Sequence, residues 1–301
     1  MSTQIARPDA LVPQPAGPRI GLALGGGGAR GIGHVVILEA LDEMGLRPTA
    51  IAGTSIGAIF GAAAAAGLPA KLIRAHVEEL LGQRYALIRQ LFSVRAAPIE
   101  RLFNLLPLRT ALLDAEALLD LILPSGVPLT FEALGVPLEI VATDFYAQEG
   151  IAIREGALRP AIAASMALPV IFQPVMIAGR ALMDGGLVDP LPFDRVRAAT
   201  DITIAIDVSG AAREPGGAQG PRALEALFAS SQILQRSIVR EKLKSVAPDI
   251  YIDVPSDGFG VLEFHRFREI LAQAEPAKDM LKRQLERVLR AETVGEPNAG
   301  G

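Results

Sequence analysis

The chain contains no cysteine and no tryptophan, and only three histidines, His34, His76 and His265. Without cysteine there are no disulfides and no thiolate metal sites, and the redox compartment is unreadable. The histidines lie far apart in sequence with no metal-ligand spacing; neither a metal nor another cofactor is expected. A net charge of −4 with no basic block argues against nucleic acid as a partner. Charge is also missing locally, since Pro48 to Ala70 carries no Asp, Glu, Lys or Arg. Such a span is long enough to cross a bilayer. It is interrupted by Gly53, Gly57, Gly61 and Gly67, however, and is rich in alanine where a membrane span is rich in leucine. A buried strand, a tight turn and a small-residue helix account for it better. Residues 1–19 are proline-rich and polar, with no apolar run after Arg7, and read as a disordered tail and not a secretory leader. A cytoplasmic location is expected, with peripheral membrane contact as its one extension.

What the chain does have is hydrophobic residues, 50% of 301, enough to bury a sizeable core. Strand patterns fall at Arg19–Leu24, Thr49–Ala52, Pro137–Thr143, Ile151–Arg154, Val175–Ile177, Arg180–Met183, Asp201–Asp207 and Asp249–Val254. Helical patterns fall at Gly33–Met44, Ile56–Ala66, Pro69–Leu81, Ala115–Ile122, Ala157–Ala167 and Phe193–Ala198. Two longer ones follow, Arg222–Val246 and Phe264–Arg290, with Pro276 restarting the second at a first turn. The alternation predicts a three-layer α/β/α fold with a mostly parallel central sheet. One domain is expected over residues 19–291, with tails at 1–18 and 292–301. The recurrence of Leu224, Leu227, Phe228, Ser231, Leu234 and Ile238 reads as a core-facing stripe. Arg84–Pro124 is helical without a strand and reads as a cap; Ser209–Pro221 reads as a surface loop.

Glycine carries the chemistry. Gly25-Gly26-Gly27-Gly28-Ala29-Arg30-Gly31 follows the first strand, and Gly53-Thr54-Ser55-Ile56-Gly57 follows the second. Both read as strand, tight turn, helix. A serine flanked at ±2 by glycines on such a turn is the geometry of a nucleophile elbow. Chance placement supplies roughly 0.1 such matches in a chain of this composition, so the strand-before, helix-after context matters. The first turn offers a row of backbone N–H groups at a helix start, where negative charge is stabilised. A third element, Asp184-Gly185-Gly186, puts a carboxylate at a strand end, either as a base in a cleft or as a turn cap.

One rival reading is dinucleotide binding, because Gly26-x-Gly28-x-x-Gly31 matches the glycine fingerprint. That fingerprint needs an acidic residue at the end of the second strand, where Gly53-Thr54-Ser55 stands instead. A P-loop fails as well, since Arg30-Gly31 occupies the place of Lys followed by Ser or Thr.

Taken together, the three glycine elements, in this order, resemble the patatin-like phospholipase family. The stretch Ala164-Ser165-Met166-Ala167-Leu168-Pro169-Val170-Ile171-Phe172-Gln173-Pro174-Val175 resembles the family's approach to its aspartate, and the likeness covers about residues 20–207. The resemblance implies a patatin-like fold and a serine–aspartate dyad that hydrolyses acyl esters of lipids, phospholipids or lysophospholipids being the natural substrates. It makes Ser55 the nucleophile and Asp184 the general base. The amides of Gly26, Gly27, Gly28, Arg30 and Ile56 become the oxyanion hole, and Gly31, Gly53, Gly57, Gly185 and Gly186 the turn-forming motif positions. A catalytically silent lipid-binding or regulatory protein is the alternative. No histidine is expected to be the base: His34 reads as packing near the site, and His76 and His265 as ordinary helix residues.

Overall fold

A computed structural model describes residues 17–83, 114–211 and 223–294. Its eight strands are β1 (Ile20–Leu24), β2 (Ala50–Thr54), β3 (Leu138–Asp144), β4 (Glu149–Ile153), β5 (Val175–Ile177), β6 (Arg180–Asp184), β7 (Ile202–Asp207) and β8 (Ile250–Asp253). All eight expected strands form. The expected span from Pro48 to Ala70 resolves into β2, a turn and helix α2 (Ile56–Ala65). Among the described residues no helix is long and apolar enough to cross a membrane.

Five strands run parallel in the order β3-β2-β1-β7-β8. Alternation along them assigns two different faces. Leu22, Leu24, Ile51, Ile204 and Ile206 point into one core, while Ala23, Ala52 and Ala205 point into the other. The branched face is covered by α1 (His34–Glu43), α2, α8 (Phe267–Ala274) and α9 (Pro276–Val294). The alanine face takes α6 (Phe193–Arg197) and the second half of α7 (Ala223–Ser245), through Phe193, Val196 and Val239. This is the expected α/β/α sandwich, and its buried parallel strands are accordingly near-continuous apolar runs.

The antiparallel part of the sheet decides where chemistry can occur. β4 pairs with Ile140 to Asp144 along one edge of β3. Ile140 and Val141 also pair with β2, and Ala142 to Asp144 also pair with β6, so β2 and β6 share the opposite edge. They run toward each other along it. β2 ends with Thr54 opposite Val141, and β6 ends with Asp184 opposite the next residue, Ala142. Two segments distant in sequence therefore meet end to end, which brings Ser55 beside Asp184, 129 residues on.

Three expectations are revised. Along α7, Leu227 and Leu234 are exposed (50% and 65%), and Phe228 and Ser231 line a cavity, so the stripe does not face the core. Helical periodicity identifies a face but not what lies against it; only Val239 and Leu243, farther along, pack on the alanine-side core. The last long helix is split into a 3-10 turn at Phe264–Arg266, α8 and α9, with Pro276 at the first position of α9 as expected. That helix continues to Val294, beyond the expected tail boundary at 292. Of the expected cap, Arg84 to Leu113 lies outside the described residues, as do residues 212–221 of the loop, Arg222 and most of both tails. The rest of the cap forms α4 (Ala115–Ile122), which is capped by the Asp114 carboxylate and lies against α5 (Leu158–Ser165).

Candidate active site

Ser55 caps the N-terminus of α2 with φ 56° and ψ −122°, a left-handed conformation that costs energy in any residue but glycine. The strain turns its side chain away from the sheet and leaves the amide of Ile56, the first helical residue, without an intrahelical acceptor. Ser55 Oγ donates to Asp184 Oδ2 at 2.7 Å. The other carboxylate oxygen, Oδ1, accepts from the Gly186 amide at 2.7 Å, at the start of the 3-10 turn Gly185–Leu187. Asp184 is 4% exposed. Burial drives its pKa up to about 6, against the hydrogen bonds from Ser55 and Gly186, which favour the carboxylate. The two expected roles of Asp184, base and turn cap, are thus compatible: one oxygen caps the turn and the other faces the serine.

The first glycine turn lies against this pair. Gly28 has φ +59° and sits where a Cβ would come within 2.4 Å of the Val261 carbonyl oxygen, so only glycine fits. At Gly31 a Cβ would lie 2.2 Å from Ile56 Cγ2, and its absence lets the first turn nest on the second. Gly53 is inside β2, Gly57 is the second residue of α2, and Gly185 follows the aspartate. Two expected oxyanion donors are revised, Gly26 and Arg30: the Gly26 amide donates to the Pro190 carbonyl at 2.9 Å, which anchors the loop instead. Arg30 lies one turn into the 3-10 helix Gly28–Gly33, where the amides from the third residue onward bond back along the chain. Gly27, Gly28 and Ile56 remain as the candidate donors.

Arg30 enters through its side chain. Arg30 is 1% exposed, and burial brings the pKa of its guanidinium down to about 10. Its Nε donates to the Gly27 carbonyl at 3.3 Å. The Gln232 carboxamide, with its oxygen turned toward Arg30, accepts from both terminal nitrogens.

None of the three histidines touches the dyad through a described hydrogen bond. His34 is fully buried, with its pKa lowered to about 4 by burial, and is therefore neutral. Its Nε2–H donates to the Gly25 carbonyl at 2.9 Å, bracing the start of the first turn. His76 Nε2 bonds the Ile122 carbonyl at 2.9 Å and forms part of a cavity wall, and His265 is exposed on a 3-10 turn.

Ser55 and Asp184 open into a cavity of about 280 Å³. Its walls are unlike. Toward α2 and α3 (Ala70–Gln83) they are mostly apolar, with Ile59, Phe60, Ile73, Val77 and Leu80 beside His76; toward α7 they carry Arg30, Ser231, Gln232 and Gln235 beside Phe228. The α7 side is fastened beside the dyad by Asp189, whose carboxylate accepts from Arg195 Nε and Lys242 Nζ, both at 2.7 Å. Its backbone carbonyl accepts from Thr54 Oγ1 at 2.8 Å. Sequence reasoning misses Gln232, Gln235 and the Asp189–Lys242 pair; helical spacing on α7 is the available signal, and it reads as core.

The family model for patatin-like phospholipase matches residues 22–197. The chain is 38% identical over 199 residues to an NTE family protein of Mycobacterium tuberculosis, covering 66% of this chain and 51% of that one. It is 29% identical over 294 residues to lysophospholipase NTE1 of Coccidioides immitis, covering 84% of this chain and 17% of that one. The chain therefore spans about half the length of the mycobacterial relative and a smaller share of the fungal one. A likeness of 16% identity and TM-score 0.44 to VipD of Legionella pneumophila covers 88% of this chain and 67% of that one. The family match alone takes in more than half of the chain, from inside β1 to the end of α6, and includes all three glycine elements. The chain belongs to the patatin-like phospholipase family.

Proposed function

We propose that this protein is a serine acyl-ester hydrolase acting on lipid esters, with Ser55 as nucleophile and Asp184 as its general base. The observation that carries the reading is the 2.7 Å hydrogen bond from Ser55 Oγ to Asp184, at the mouth of an apolar cavity. An ordinary aspartate, with a pKa of about 3.9, is a weak base for a hydroxyl. The buried Asp184, raised to about 6, is better matched to the task near neutral pH.

As Ser55 Oγ attacks the acyl carbonyl carbon, its proton passes to Asp184. In this reading the carbonyl electrons move onto oxygen, and the Gly27, Gly28 and Ile56 amides receive the charge. Collapse breaks the ester C–O bond, and the proton on Asp184 goes to the departing alcohol. Water then attacks the acyl-serine, giving its proton to Asp184, which returns it to Ser55 as the fatty acid leaves. The apolar wall suits an acyl chain. A monoacyl glycerophospholipid is the preferred substrate in this reading, supported by the lysophospholipase relatives and by the polar α7 wall for the alcohol side.

A fluorophosphonate probe should label Ser55 stoichiometrically, and purified protein should release fatty acid from lysophospholipid faster than from triacylglycerol. A protein that binds lipid but neither labels nor hydrolyses any member of an ester panel is the silent binder instead.

A further inference from the structure

The β2–β3 ladder contains a rung that is not made of backbone alone. Ile51 N donates to the Pro137 carbonyl at 2.9 Å, and in a parallel ladder the pattern advances by two residues on each strand. The rung due two steps later would join the Ser55 amide to the Val141 carbonyl. Because Ser55 has already turned into its left-handed conformation, that direct bond is replaced. The Ser165 hydroxyl stands between the two groups, accepting from Ser55 N at 2.8 Å and donating to the Val141 carbonyl at 2.6 Å. Ser165 is wholly buried at the last position of α5. Two residues on, the Ala167 carbonyl accepts the Asp184 amide at 3.1 Å. One turn of chain thus grips the backbone of both dyad members.

We propose that Ser165 is a positioning residue: its hydroxyl, inserted into the sheet ladder, holds the strained elbow where Ser55 Oγ meets Asp184. This rests on the serine–aspartate reading above. Buried polar groups are not left unpaired, and strain persists only where surrounding bonds over-determine it. Removing the hydroxyl orphans both the Ser55 amide and the Val141 carbonyl and lets the elbow relax. A displacement of about 1 Å between reacting groups costs on the order of a hundredfold in rate. Ser165 contacts neither the cavity nor the dyad side chains in any described bond, so its effect travels through the Ser55 backbone.

The test is Ser165→Ala, assayed per folded molecule with a soluble aryl ester and titrated with a fluorophosphonate. We expect kcat to fall roughly ten- to a hundredfold with KM within about twofold, and labelling of Ser55 to slow in parallel. The acid limb of kcat/KM should also move upward, because the hydrogen bond from Ser55 is one of the interactions that lowers the Asp184 pKa. A purely structural serine would lower thermal stability without moving that limb. If Ser165→Ala does not fold, Ser165→Cys, close in shape but with a weaker donor and acceptor, carries the same expectations at smaller amplitude. A wild-type kcat and an unmoved acid limb in the folded variant overturn the proposal alone. A wild-type protein that neither hydrolyses esters nor takes the label overturns the dyad reading and this proposal with it.

Discussion

The two glycine turns of this protein are built on one plan, strand then turn then helix, yet they place their strain differently. In the first, the left-handed residue is Gly28, for which φ +59° costs little. In the second it is Ser55, at φ 56°, which does cost. The first turn is held by backbone bonds from Gly25, Gly26 and Ala29 to Ile206, Pro190 and Val261, and by His34 beneath it. The second is held by a serine hydroxyl and a carboxylate from elsewhere in the chain. A turn that only offers amides can be relaxed, whereas a turn that must aim one side chain is forced and then braced.

The sharpest way to break the comparison is to remove the aimed group. Ser55→Ala should lower kcat by at least about a thousandfold while the protein still melts cooperatively, since only one hydroxyl is lost. Kinetics on protein checked by circular dichroism decide this; substantial residual kcat would take the nucleophile away from Ser55. Gly28→Ala should come next, losing roughly 10²–10³ in kcat as the added methyl collides with Val261 and shifts the oxyanion donors. A change in KM alone would mean that this turn shapes binding and does not hold charge.

The strain itself can be measured. Ser55→Gly should be more stable than Ser55→Ala by about 1 kcal/mol in urea unfolding, because glycine accepts positive φ. Gly28→Ala should be destabilising in the same assay by more than that difference, because both turns favour glycine at positive φ and only the first adds a collision with Val261.

Asp184 supplies a pH-resolved version of the same trade. Its folded pKa, about 6, lies above the ordinary aspartate value, so folding disfavours the ionised form. Above pH 6 the native state carries that cost; below about pH 4 both states are protonated and the cost vanishes. Asp184→Asn should therefore raise Tm by a few degrees at pH 8, with the gain shrinking to nothing near pH 4, while hydrolysis is lost at every pH. In the wild type, kcat/KM should fall as pH drops through about 6. The smallest effect is expected for His34→Gln, whose amide can still donate to Gly25: less than about tenfold in kcat. A loss on the scale of Ser55→Ala would instead give that histidine a chemical part.

Much of this was legible in the order of residues. Near-continuous apolar runs such as Ile202 to Ile206 announce strands buried on both faces, and the residues around Ser55 and Gly28 announce tight turns because few other sequences can make them. These are local facts, set by φ/ψ sterics and by periodicity within a dozen residues. The α7 stripe shows where such reading stops, since Leu227 and Leu234 have helical spacing but face outward. Gly26 shows it again: whether an amide is free for an oxyanion depends on Pro190, distant in sequence.

By itself the sequence determined the elements and the elbow, because each follows from short-range stereochemistry, and the order of its three glycine elements singled out Ser55 and Asp184 as the pair to examine. Only the tertiary structure decided that they meet. That meeting depends on β2 and β6 approaching head to head along one edge of β3, on α5 delivering Ser165 into the broken rung, and on burial lifting the Asp184 pKa. Register, long-range hydrogen bonds and desolvation are properties of packed neighbours, and no window of residues contains them.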